Sequence, residues 1–141
     1  MKVLIATDGS NPALAALDAF VARLGWFRDR PAVELVHVHA PIPYPRAAAW
    51  AGKEAVEKYY AEESEAALAP AAARLEAQGI VPTTVKLVGD AGREIVHHAA
   101  ASGCDLIVMG THGHTAMGNL VMGSVATKVL AAAKVPVLLL K

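Results

Sequence analysis

Residues 105–113 read Asp105-Leu106-Ile107-Val108-Met109-Gly110-Thr111-His112-Gly113; nine residues later the chain continues Gly123-Ser124-Val125. A short apolar run ends at one glycine, and a helical stripe opens at another. Val125, Val129 and Ala133 recur four apart, with Ala126 and Leu130 beside them. The pattern predicts a buried strand over 105–111, a loop, and a helix over 124–133. Glycines between strand and helix let backbone amides approach an anion with no Cβ in the way. The first turn of the helix adds unpaired N–H groups and the positive end of its dipole, and the Ser124 hydroxyl can donate to the same oxygen. The stretch reads as a phosphate cradle.

The same alternation extends outward in both directions. Residues 1–7 (MKVLIAT) predict a buried strand that ends in Asp8-Gly9-Ser10-Asn11-Pro12, a turn and N-cap cluster with Pro12 suited to the first helical position. Leu14, Leu17, Val21 and Leu24 then form one helical stripe with Gly25 as its stop. Residues 33–40 (VELVHVHA) predict a second strand, and Pro41, Pro43 and Pro45 force an extended connection after it. Residues 47–78 are rich in alanine, glutamate and leucine, so a helix is expected there, kinked or split at Pro70 and ended by Gly79. A third strand is expected over 83–88, a further helix over 93–101 and a last strand over 135–140. Strands joined by crossover helices lie parallel, which gives a doubly wound α/β sheet in a single domain over 1–141.

Composition removes several classes of function. The 141 residues are 55% hydrophobic and carry 13 basic and 13 acidic side chains, a net charge of zero. Without a basic excess or cluster, no nucleic-acid partner is expected. No apolar run approaches the roughly 18–20 residues of a membrane span. Asp8 falls where a signal peptide would be apolar. The single Cys104 cannot form an internal disulfide and reads as a small hydrophobe before a buried strand, so a cytoplasmic setting is expected.

Ligands of doubly wound sheets bind at the carboxyl ends of the strands, where strand order reverses. Thr7-Asp8-Gly9 and Gly110-Thr111-His112-Gly113 follow the first and fourth strands, neighbours across that point in a sheet that starts in its middle. Gly118 and Gly123 have the spacing of a Walker pair, but Ser124 stands where the lysine belongs. His112 and His114 lie in the loop as candidates for touching a phosphate. His37 and His39 share a strand face; with no cysteine or carboxylate completing a ligand spacing, no metal site is expected. Lys128 either reaches a phosphate or remains a surface lysine. Tyr44, Trp50, Tyr59 and Tyr60 form a lid, a partner surface or half-buried packing near the long helix. Pro136 lacks the amide a central strand needs, which places the last strand at an edge, yet Val137–Leu140 is too apolar for a bare edge. Pairing with a second copy, or cover by the chain itself, resolves the conflict.

Gly110-x2-Gly113-x9-Gly123-Ser124 matches without a gap the nucleotide-binding signature of the universal stress protein family. The chain resembles that family along its length, at Val3–Ser10, Leu35–His39, Asp105–Gly110 and Val135–Leu139. The resemblance implies a Rossmann-like, five-stranded parallel sheet in the order 3-2-1-4-5, with helices on both faces and a homodimer through the C-terminal edge strand. It implies ATP (or ADP or AMP) as ligand, with Mg2+ carried by the nucleotide. By analogy, Ala6, Thr7 and Asp8 line the ribose and adenine side, Asp8 either bonding ribose hydroxyls or helping to hold magnesium. Val38 offers backbone contacts to the adenine and Met109 packs near it, while Gly110, Gly113, Gly123, Ser124 and Val125 surround the ribose and phosphates. The loop can stabilise an anion, but no base for activating water is evident. The expected function is therefore a nucleotide-dependent regulatory or stress-response module, at most weakly hydrolytic. The alternatives are a slow ATPase or adenylyl-transferring enzyme, or an interaction scaffold stabilised by nucleotide.

Overall fold

Strand β1 (Lys2–Ala6) has no face toward solvent: Val3, Leu4 and Ile5 are each 2% exposed or less. It lies between β2 (Ala32–His39) and β4 (Leu106–Gly110), with β3 (Thr83–Val88) beyond β2 and β5 (Val137–Leu140) beyond β4. Every pairing is parallel, so the sheet order is β3-β2-β1-β4-β5, as the resemblance implies. The computed structural model describes every residue except Tyr44 and 115–120, together with the side chains of Pro45 and Ala47.

Successive strand side chains point to opposite faces, so two cores form. Val3, Ile5, Leu35 and Val108 meet Leu17 and Phe20 of α1 (Asn11–Val21) and Leu68 and Leu75 of α3 (Lys53–Glu76). Leu4, Val36 and Ile107 meet Ile95 and Ala99 of α4 (Ala91–Ala101) and Ala126 and Val129 of α5 (Ser124–Ala132). Among the described residues, no helix is long and apolar enough to cross a membrane.

Local chemistry sets the helix ends. The Ser10 hydroxyl caps α1 through the Ala13 amide, and the Asp90 carboxylate caps α4 through the Arg93 amide. That cap starts α4 at Ala91, two residues before the sequence pattern suggests. Helix α1 closes at Val21, and Gly25 falls instead in a short 3-10 turn over Leu24–Trp26. The break in the long helical region also lies elsewhere than expected. It comes at Gly52, at φ 87°, which separates α2 (Pro45–Ala51) from α3, while α3 runs unbroken through Pro70. A helical proline costs on the order of 3 kcal/mol. Buried Ala67, Leu68, Ala71 and Leu75 anchor both flanks of Pro70 to the sheet and offset it.

Pro136 sits just before β5, its carbonyl accepting the Ile107 amide at 3.0 Å, and β5 is indeed an edge strand. The central-layer role of β2 gives a direct stability expectation. Leu35→Ala removes a fully buried side chain and should lower unfolding free energy by about 3 kcal/mol in urea titration; a loss below about 1 kcal/mol would contradict its central packing.

Candidate functional site

Parallel pairing of β1 with β4, with Ala6 opposite Met109, brings the loops after both strands to the same end of the sheet. Between them opens a cleft of about 770 Å³, its solvent-facing mouth included. All ten residues singled out from the sequence line it: Ala6, Thr7, Asp8, Val38, Met109, Gly110, Gly113, Gly123, Ser124 and Val125. Ala13, Val36 and Ile95 line it too and were not anticipated. Val36 was within reach, since it shares a strand face with Val38; Ala13 and Ile95 arrive only through the packing of α1 and α4.

The glycine loop is pinned where it leaves β4 and where it enters α5. Thr111 N–H donates to the Leu140 carbonyl at 3.1 Å, and Gly123 N–H donates to the Thr111 carbonyl at 2.6 Å. A Cβ at Gly123 would come within 3.1 Å of that same carbonyl oxygen, so the close return favours glycine. Helix α5 starts on Gly123 with no side-chain cap. Its first amides, at Ser124, Val125 and Ala126, have no carbonyl one turn back to bond within the helix, and all three residues line the cleft. An uncapped helix start of this kind is suited to an anion.

Asp8 faces the loop from the other side. Its Oδ1 accepts from the Ser10 amide at 3.0 Å and the Ser10 hydroxyl at 2.5 Å, and its Oδ2 accepts from the His114 amide at 2.9 Å. The Asp8 carbonyl accepts from His114 Nε2 at 2.8 Å. Burial pushes the carboxyl pKa up, but the Ser10 and His114 hydrogen bonds outweigh it and hold Asp8 below the usual carboxylate range.

Other candidates settle into separate places. His112 and His114 line the cleft, with His112 Nδ1 2.9 Å from the Thr111 hydroxyl. His37 and His39 do share a strand face, but His37 is buried against the Ser64 hydroxyl at 3.1 Å, and burial lowers its pKa. His39 stacks edge-on with Tyr59 and Tyr60 at 5.5 and 5.1 Å. Among the described residues, no group of three His, Cys, Asp or Glu could hold a metal. Lys128 pairs with Asp90 at 2.5 Å and is not among the residues lining the cleft. Trp50 is 94% exposed, so half-buried packing does not describe it. Cys104 is buried in the α4–α5 core. Gly118 and Tyr44 lie outside the described residues.

The sequence profile of the universal stress protein family matches residues 1–141. The chain belongs to the universal stress protein family. A relative in Methanocaldococcus jannaschii, universal stress protein MJ0531, is 34% identical over 141 residues, covering 99% of this chain and 81% of that one. The solved structure of protein MJ0577 from the same organism superimposes with a TM-score of 0.82 at 28% identity, covering 99% of this chain and 94% of that one. The universal stress protein of Archaeoglobus fulgidus, solved in complex with dAMP, gives a TM-score of 0.69 at 23% identity over 100% of this chain and 98% of that one. These similarities place the chain in the Rossmann-like universal stress protein fold.

The depressed Asp8 pKa has a pH signature. A carboxylate held below its unfolded value of about 4 stabilises the fold above that pH and loses its contribution as pH falls through the folded value. Asp8→Asn should therefore cost stability at neutral pH, and the gap to wild type should close below about pH 4 in denaturant titrations. A gap independent of pH would contradict the Asp8 assignment.

Proposed function

We propose that the cleft holds an adenine nucleotide (ATP, ADP or AMP) and that the protein acts as a nucleotide-dependent regulatory module of the stress-response type. The observation that carries this reading is the convergence of the glycine signature, the uncapped start of α5 and an apolar recess on one cleft. Ala6, Val38 and Met109 suit the base, and Ala6, Thr7 and Asp8 suit the ribose and adenine side. Gly110, Gly113, Gly123, Ser124 and Val125 suit ribose and phosphates, with Mg2+ carried by the nucleotide. The dAMP held by the Archaeoglobus fulgidus protein supports the ligand class.

Binding without turnover fits the site best. Asp8 is the sole carboxylate among the described residues lining the cleft, and its oxygens are engaged by Ser10 and His114. The same hydrogen bonds hold its pKa down, which weakens it as a general base toward an attacking water. The buried, unpaired Cys104 suits a reducing cytoplasm. The β5 edge, partly exposed along its length, suits a homodimer formed by strand pairing.

Gly123→Val would drive a branched side chain into the Thr111 turn beside the phosphate site. Isothermal titration should show AMP affinity falling tenfold or more, about 1.4 kcal/mol or above; unchanged affinity would remove the loop from the site. Sedimentation equilibrium should give a dimer for wild type and a monomer for Val137→Lys, with circular dichroism confirming that the variant folds. A folded variant that stays dimeric would contradict pairing through β5.

A further inference from the structure

An acidic side chain is the usual reader of ribose hydroxyls in doubly wound folds. Asp8 lines this cleft and falls on the sugar side in the nucleotide reading, yet its geometry is turned to another task. A carboxylate offers about four lone-pair sites. Three are filled here, by the Ser10 amide, the Ser10 hydroxyl and the His114 amide. Oδ2, which holds the fourth, faces Gly113: a Cβ added at Gly113 would fall on that oxygen, so the missing Cβ leaves it room. The backbone joins in, since the Asp8 carbonyl takes the His114 imidazole N–H. Asp8 and His114, 106 apart in sequence, are thus tied by two hydrogen bonds, and Gly113 leaves open the space that the Asp8 carboxylate occupies.

We propose that Asp8 is a positioning residue and not a sugar ligand: it staples the loop after β1 to the glycine loop after β4, so the cleft accepts adenine nucleotides without reading the ribose 2′-hydroxyl. Gly113 takes on a different meaning as well. Its missing Cβ makes room for the Asp8 carboxylate, independently of any phosphate. The sugar half of the proposal rests on the nucleotide reading of the cleft; the clamp half does not.

Thermal melting of wild type, Gly113→Ala, Asp8→Ala and the double variant tests the clamp with no ligand present. Gly113→Ala should lower Tm in the wild-type background and lower it much less on top of Asp8→Ala, because the oxygen that its Cβ would strike is gone. Equal losses in the two backgrounds would overturn the clamp. Should Gly113→Ala fail to fold, the double variant decides: recovery of folded protein supports the clamp and continued failure contradicts it. Isothermal titration with AMP and dAMP tests the sugar half. Their Kd values should agree within about threefold, and Asp8→Asn should weaken both by the same factor. A dAMP affinity lower by about tenfold or more overturns the indifference to sugar, and its disappearance in Asp8→Asn overturns the positioning role too. If neither nucleotide binds wild type, the nucleotide reading of the cleft fails while the melting series still decides the clamp.

Discussion

The parallel ladder between β1 and β4 is the constraint on which the rest depends. These strands lie far apart in the chain, and their register sets Ala6 beside Met109. The residues that follow, Thr7-Asp8 on one side and Gly110-Thr111 on the other, then have to leave the sheet at the same end and face each other. The reversal of strand order at this junction creates the crevice, because α1 after β1 and α5 after the glycine loop cover opposite faces. The cleft follows from the topology, and its chemistry from the few residues that the topology delivers there.

The two ends of the sheet are built differently. At the amino end, Lys2 Nζ meets Glu34 Oε1 at 2.5 Å, and His98 Nε2 meets Glu34 Oε2 at 2.7 Å. Burial works against the Glu34 charge, but these bonds outweigh it and hold its carboxyl below the usual range. Lys2 also bonds the Ser102 carbonyl, and its amide bonds Asp105, which ties β1 to the turn before β4. At the carboxyl end the polar groups are arranged differently: main-chain amides, the hydroxyls of Thr7, Thr111 and Ser124, two imidazoles and the Asp8 carboxylate line an open recess. One end is tied off by charge pairing, and the other presents hydrogen-bond donors to solvent.

Much of this was legible in the sequence. The β3 limits, the start of α5 at Ser124 and the ten cleft residues follow from short apolar runs, glycine spacing and the family signature, all of which are local patterns. What could not be read was set by packing. Pro70 looks like a helix breaker in isolation, but side chains buried on both flanks keep α3 continuous, whereas Gly52 breaks the region at a positive φ. The orientation of Asp8 depends on His114, 106 residues away, and no periodicity reports such a contact. Trp50 ends up exposed because α2 turns its indole outward, again a matter of tertiary placement.

The central claim is that the open amides at the start of α5 and in the glycine loop receive a nucleotide phosphate. Amide chemical-shift mapping on 15N-labelled protein with AMP as titrant tests it most directly. The account predicts that the largest shifts fall on Gly113, Ser124, Val125 and Ala126, with smaller ones on Ala6, Val38 and Met109. Shifts concentrated on the exposed face around Trp50, or along the β5 edge, with the start of α5 unmoved, would contradict it.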